Sequence, residues 1–228
     1  MRVVSLVPSI TESLLAWGVT PVAVTRFCEI PGLPTVGGTK NPDVEGIIAM
    51  SPDVVFMDKE ENRAPDAASL QNAGVTVVAT DVRSLSDVAP ALTRLADAVG
   101  VSLEPPATLD PVPASTLKVF VPIWRRPWMT VGGGTYGSSL LTAAGFENVY
   151  ASSPDPYPVV ELGDVRDRRP GRVLAPSEPY PFQEKHRLEL EEIAPVEFVD
   201  GRDLFWWGVR TPAAVDRLRE MAAALAGA

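Results

Sequence analysis

Two halves of this chain repeat one pattern, and that repeat limits the folds open to it. Residues 3–8 echo residues 117–122, each an apolar run ending in Val-Pro. Residues 52–57 resemble residues 170–175, 118 positions on (52 to 170), and the same offset sets Glu60 on Glu178 and Leu70 on Leu188. Asp81-Val82-Arg83 resembles Asp200-Gly201-Arg202, one residue further out. Self-similarity at a fixed offset marks a structural unit used twice.

Inside the first half, short apolar runs alternate with helical periodicity. The pattern predicts strands at 3–7, 21–25, 53–57 and 75–79. It predicts helices at 10–17, from Asn41-Pro42 to about Met50, at 65–73 and at 86–99. Ser9 with Glu12 has the spacing of a capping box, and Gly18 the place of a C-cap. Asn41 before Pro42 suggests an N-cap followed by a proline in the first turn. Strands alternating with helices of this length make parallel βα units. The stretch 101–116 holds four prolines and two acids and breaks the rhythm, as a stiff linker does. The expected fold is therefore α/β: two pseudo-symmetric lobes, parallel sheets flanked by helices, joined by a helix and linker. The boundaries are an N-terminal lobe at 1–84, a connecting helix and tether at 85–116, and a C-terminal lobe at 117–228, with a cleft between the lobes.

Composition excludes several classes of function. A net charge of −9 disfavours nucleic acid and anionic membrane surfaces. No apolar run approaches the roughly 18 residues a membrane span needs. Cys28 is the single cysteine, so no internal disulfide can form. The chain opens on its first strand with no leader pattern, which predicts a cytoplasmic protein, or an exported or membrane-anchored one if the native chain is longer.

In parallel sheets ligands bind beyond the carboxyl ends of the strands. In the first half those ends are followed by Pro8 and Ser9; by Arg26, Phe27 and Cys28; by Lys59, Glu60, Glu61, Asn62 and Arg63; and by Asp81 and Arg83. In the second they are followed by Trp124, Arg125, Arg126 and Trp128; by Glu178, Tyr180 and Phe182; and by Arg202, Asp203, Phe205, Trp206 and Trp207. Four of the five tryptophans thus fall in loops, as walls for a large flat ligand would, although a loop tryptophan also packs over core edges. Trp124, Trp128, Phe205 and Trp206, with Tyr136 and Phe182, are expected to face the cleft. Arg26, Arg63 and Arg83 are the expected electrostatic contacts. As a set the arginines suit carboxylate or phosphate groups, while any single one also suits a surface ion pair.

Gly132, Gly134 and Gly137 match G-x-G-x-x-G and open a helix reaching Ala144. The strand before them is short, and the helix leads toward Asn148 and a proline-rich loop rather than promptly to a parallel strand. A tight turn at a helix N-terminus is the preferred reading, a nucleotide-dependent enzyme the alternative. His186, the only histidine, reads as a surface helix residue, with axial ligation of a chelated metal as its alternative. Cys28 reads as a small buried hydrophobe.

The run VVSLVPSITESLLAWG, followed by VTRFCEIPGLPTVGGTKNPDVEGIIAMSPDVVFMD and GVTVVATD, resembles the N-lobe of class III periplasmic binding proteins. These are the helical-backbone metal receptors that bind cobalamin and iron chelates. PWMTVGGGTYGSSLLTAAGFENVYA and LAPSEPYPFQEKH are similar to their second lobe. The resemblance spans nearly the whole chain. It implies a non-enzymatic, monomeric protein that holds a metal chelate (cobalamin or another corrinoid, haem-like or ferric siderophore) between two lobes, with no covalently required cofactor. The expected ligand contacts are Ser9, Arg26, Phe27, Cys28, Glu61, Asn62, Arg63, Arg83, Trp124, Trp128, Tyr136, Tyr180, Phe182, Phe205 and Trp206. The family docks an ABC permease through one glutamate per lobe. Glu45 matches the first, but the second falls at Gly163, between Glu161 and Asp164. The lipid-anchor cysteine is missing and the connecting helix is short. A cytosolic carrier or sensor without transporter docking is therefore the second alternative.

Overall fold

The computed structural model describes residues 1–103 and 117–227, so most of the proline-rich stretch expected to cross between lobes lies outside the described residues. The chain divides into two compact units. The first contains Met1–Val82, the chain from Ser86 up to the end of the first described segment, and Trp207–Val209; the second contains Arg83–Leu85, the chain from Leu117 to Trp206, and Arg210 onward.

The first unit is a four-stranded parallel sheet. Its strands are β1 (Val3–Ser5), β2 (Ala23–Val24), β3 (Val54–Asp58) and β4 (Val77–Thr80), in the order β2-β1-β3-β4. β1 and β3 are buried along their whole length, as strands covered on both faces must be, and their sequences are nearly continuous apolar runs. The connecting helices are α1 (Pro8–Ala16), α2 (Val44–Ala49) and α3 (Ala64–Asn72); α4 (Leu85–Val99) follows β4. The core joins Val4, Leu6 and Val55 from the strands with Ile47 of α2 and Leu70 of α3. α4 buries Val88, Ala91, Leu95 and Ala96, one stripe at helical spacing, and clusters with this unit rather than standing apart as a connector.

Two caps differ from the sequence reading. α1 begins one residue after Val7, with Pro8 in its first turn and no side-chain cap, so Ser9 lies inside the helix instead of capping it. α2 is capped by Asp43, whose carboxylate accepts from the Gly46 amide at 3.0 Å; Asn41 instead closes a turn onto Gly38.

The second unit repeats the first. β5 (Leu117–Phe120), β8 (Phe146–Asn148), β9 (Arg172–Pro176) and β10 (Val196–Val199) form a parallel sheet in the order β8-β5-β9-β10. Numbered by appearance within each unit, both sheets run 2-1-3-4. A two-stranded antiparallel hairpin, β6 (Pro122–Trp124) with β7 (Met129–Thr130), is inserted after β5. α5 (Tyr136–Ala144), α6 (Leu162–Asp167), α7 (Arg187–Glu191), α8 (Gly201–Phe205) and α9 (Thr211–Ala226) complete the unit. Its core gathers Phe120, Val173 and Ala175 from the strands with Val165 of α6 and Leu190 of α7.

Candidate functional site

At the carboxyl end of the first sheet, β3 closes on a buried acid. Asp58 is 3% exposed; one carboxylate oxygen accepts from the Thr80 hydroxyl at 2.7 Å and the other from the Glu60 amide at 2.9 Å. Asn62 completes the network. Its side-chain oxygen accepts from the Asp58 amide at 2.8 Å, and its amide nitrogen donates to the Thr39 carbonyl at 2.9 Å. Burial pushes the Asp58 carboxyl up to about 6, against the Thr80 and Glu60 hydrogen bonds, while the charges of Glu60 and Glu61 push the same way as burial. Sequence reading missed Asp58 and Thr80. The available signal was a single acid closing an otherwise apolar strand.

The remaining first-unit candidates separate by exposure. Phe27 is 49% exposed, and the Arg26 guanidinium lies over its ring at 4.8 Å. Glu61, Arg63 and Arg83 are exposed. Arg63 grips Asp66 with two nitrogens at 2.9 and 2.8 Å, tying it to the start of α3. Cys28 is buried beside Thr11 and Thr25, its sulfur 3.2 and 3.4 Å from their hydroxyls. Ser9 is buried and its carbonyl accepts from Ser13, and Asn62 is spent on the network above. Buried groups already satisfied in this way hold the loops that carry the exposed ones.

The second unit brings an aromatic group together at its strand ends. Trp124, 45% exposed, meets Tyr180 edge-on at 5.6 Å; Tyr180 packs on Phe182 at 4.8 Å; Phe182 stacks on Trp128 at 6.0 Å with planes 8° apart. Arg125 lies over Trp128 at 6.0 Å and pairs with Glu189 at 2.8 Å. His186 belongs to this cluster and not to a surface helix. It is 5% exposed, sits 5.6 Å from Tyr180 and 5.7 Å from Phe182, and its Nδ1 accepts from the Gln183 amide at 3.0 Å. Burial, then Lys185 and Arg125, lower its pKa, with Glu189 opposing, which favours the neutral ring. Among the described residues no group of three or more His, Cys, Asp or Glu could hold a metal ion.

A second cluster forms around Trp206. Arg202 and Arg210 lie over its ring at 5.0 and 5.4 Å, and its indole hydrogen-bonds Glu178, whose carboxyl burial raises. Gly201 makes this possible. A Cβ there would lie 2.5 Å from both the carbonyl oxygen and Cγ of Glu178, so only glycine lets α8 start this close to the loop after β9. Phe205, half-buried, faces Gly137 of α5. Tyr136 departs from its expected position. It is 4% exposed, its hydroxyl pairs with Thr211 at 3.0 Å, and burial pushes it up to about 12, so it is a core residue.

The glycine-rich turn is also explained by packing. Cβ atoms at Gly132 and Gly133 would fall 2.1 Å from the Asp155 carbonyl oxygen and 2.3 Å from that of Ala151. The glycines admit the neighbouring backbone, and Thr135 caps α5 by accepting from Ser138. Contrary to the sequence reading, a parallel strand, β8, does follow α5 directly. The strand before the turn, β7, is antiparallel and outside the main sheet, so no βαβ unit surrounds the turn. An open groove of about 600 Å³ lies elsewhere in this unit, beside α6 and lined by Tyr150, Pro158, Asp164 and Arg168; no expected site residue lines it. Glu45 is exposed in the first turn of α2, and Gly163 is exposed in the first turn of α6, the topologically equivalent helix.

Residues 3–102 match the family model described as periplasmic binding protein. The vitamin B12-binding protein of Salmonella choleraesuis (strain SC-B67) is 30% identical over 189 residues, covering 76% of this chain and 71% of that protein. The chain belongs to the periplasmic binding protein family. The vitamin B12-binding protein of Pectobacterium carotovorum subsp. carotovorum (strain PC1) is 26% identical over 78% of this chain and 72% of its own length. Two solved structures share the fold at 20% identity. The periplasmic vitamin B12 binding protein BtuF of Vibrio cholerae has a TM-score of 0.76, covering 99% of this chain and 97% of that one. A periplasmic heme binding protein from Pseudomonas aeruginosa has a TM-score of 0.78, covering 98% and 92%. These relatives overturn the cytoplasmic placement read from the start of the sequence, because proteins of this family work in the periplasm, outside the cytoplasm. Among the described residues no helix is long and apolar enough to cross a membrane.

Proposed function

We propose that this protein binds a metal chelate of the cobalamin or haem type, using the strand-end loops of each unit. The observation that carries this reading is where the exposed aromatics lie. Among the described residues only two aromatic side chains count as exposed large hydrophobics, Phe27 and Trp124. Phe27 lies just past β2, and Trp124 ends β6, the hairpin strand that follows parallel strand β5; each has an arginine beside it in sequence, Arg26 and Arg125. Exposed apolar rings at such a position gain free energy when a flat ligand covers them. The vitamin B12- and heme-binding relatives support the ligand class. Arg26, Phe27, Glu61, Arg63 and Arg83 are the proposed contacts of the first unit. Trp124, Trp128, Tyr180, Phe205 and Trp206 are those of the second, with Ser9, Cys28, Asn62, Tyr136 and Phe182 supporting them from beneath.

We further propose that the protein serves as the binding component for a transporter and not as an enzyme, with Glu45 as one docking residue and Glu161 or Asp164 in place of a carboxylate at Gly163. The test of the ligand class is absorbance and mass spectrometry of the protein purified from its native host. A corrin or porphyrin spectrum with matching mass is the expected result. A nucleotide, a sugar or an amino acid as the retained ligand would overturn the reading.

A further inference from the structure

The loop after β3 carries Lys59, Glu60, Glu61 and Arg63, and Asp58 ties its start together: its carboxylate accepts from the Glu60 amide, its carbonyl accepts from the Asn62 amide, and its own amide donates to the Asn62 side chain. We propose that Asp58 is the positioning residue of this loop and that its proton state sets the charge presented to a bound chelate. This inference rests on the proposed chelate-binding role of the first unit's loops.

The geometry provides two complete hydrogen-bond patterns. With Asp58 ionised, Thr80 Oγ1 donates to Oδ2 at 2.7 Å and the Glu60 amide donates to Oδ1 at 2.9 Å. The Thr80 hydroxyl also lies 3.2 Å from the Met57 carbonyl. With Asp58 protonated, Oδ2 donates to Thr80 and the hydroxyl turns to donate to Met57. A hydroxyl both donates and accepts, so no buried group is left unpaired in either state. The backbone can keep one shape while the charge beneath the loop changes by one.

The charges around Asp58 are asymmetric. On its own loop Glu60 and Glu61 raise the cost of ionising it, and burial raises it most. From the preceding segment Lys40 donates to the Glu60 carbonyl. From the end of β4 Asp81 is paired with Lys59 at 2.9 Å, and from α3 Asp66 is paired with Arg63. Glu60 and Glu61 are the acids whose charge acts on Asp58, and Lys40 and the Thr39 hydrogen bond partly offset that of Glu61. Losing the Asp58 charge lowers repulsion toward an anionic ligand such as haemin and leaves a neutral one such as cyanocobalamin unaffected.

The experiment has two arms. In the ligand-free protein, the Asp58 carboxyl carbon and the Glu60 and Glu61 amides are followed by NMR from pH 4.5 to 8 in wild type, Asp58→Asn and Thr80→Val. A shared midpoint near 6 is expected in wild type, absent in Asp58→Asn and moved upward in Thr80→Val, which loses the bond favouring the carboxylate. No shared inflection between pH 5 and 7, or one that persists in Asp58→Asn, overturns the proposal. Should Asp58→Asn fail to fold, the direction of the Thr80→Val shift decides alone. In the second arm, haemin and cyanocobalamin affinities are measured at pH 5.5 and 7.5. The gain in haemin affinity at the lower pH should be about threefold greater in wild type than in Asp58→Asn, with cyanocobalamin showing no such difference. Equal pH ratios in both proteins contradict the proposal. Failure of both ligands to bind at either pH instead contradicts the chelate-binding role, and the NMR arm still decides the proton switch.

Discussion

The two units share a sheet order of 2-1-3-4 but differ in what they place at their strand ends. The first presents charge: Arg26, Lys59, Glu60, Glu61 and Arg63, set on a buried acid at Asp58. The second presents rings: Trp124, Trp128, Tyr180 and Phe182 as one packed group, and Trp206 under two guanidiniums. The same βα scaffold therefore supports either surface, because the sheet fixes where a loop starts and the side chains after the strand fix what it offers.

The largest expected effect tests where the repeat breaks. Val82 and Gly201 occupy matching places in the two halves, yet Val82 is a buried side chain and Gly201 has no room for one. Gly201→Val should lower stability to denaturant by about 3 kcal/mol, through overpacking against Glu178. Val82→Ala should lower it by about 2 kcal/mol, through lost burial. A harmless Gly201→Val would mean that the loop after β9 can move away from α8.

The next effect belongs to the charged unit. The folded protein holds the Asp58 proton up to about 6, above the ordinary carboxyl value of 3.8, so the folded state binds more protons than the unfolded one between those values. Stability therefore falls as pH rises from about 4 to 6 and is level above. The Asp58 contribution to that fall is about 3 kcal/mol. Asp58→Asn removes it, so the stability difference between variant and wild type should change by about this amount from pH 4 to pH 7. Urea denaturation at both pH values measures it, and parallel pH profiles would contradict the assignment.

How much of this was legible in the sequence follows from the same physics. The parallel sheets could be read because buried strands are continuous apolar runs, as in residues 54–57 and 173–175. The short strand before the glycine-rich turn could be read as well, but its antiparallel pairing with β6 could not, since Trp124 and its neighbours read as a loop after β5. β8 is hidden because it is three residues long and polar in its second half, Phe146-Glu147-Asn148, although Gly145 marks the end of α5 before it. Among the site residues, exposure decided legibility. The exposure of Phe27 and Trp124 agrees with their place after strands β2 and β5. Tyr136 and His186 were misplaced because only tertiary packing buries them, Tyr136 against Thr211 and His186 among Tyr180 and Phe182. Asp58 reads in sequence as the end of a strand, and its buried hydrogen bond to Thr80, 22 residues away, is visible only in the fold.

Smaller effects separate wall from support in the aromatic unit. Trp124→Ala should weaken chelate binding about tenfold with little loss of stability, since the ring is half exposed and meets a single aromatic partner. Trp128→Ala should act the other way, lowering stability by about 2–3 kcal/mol through loss of the Phe182 stack. Binding and melting measurements on both variants would show whether the two rings divide the work. The smallest effect is expected at Arg26. Arg26→Ala should reduce haemin affinity less than about fivefold, and the reduction should shrink at high salt, as for any exposed charge.

The most direct test of the central claim is titration of tryptophan fluorescence with cyanocobalamin and with haemin. The account predicts saturable quenching by at least one of them, with a Kd at or below tens of micromolar, roughly −6 kcal/mol of binding or better, and a reduced amplitude in Trp124→Ala. No saturable quenching by either ligand or by ferric chelates in that range would contradict it.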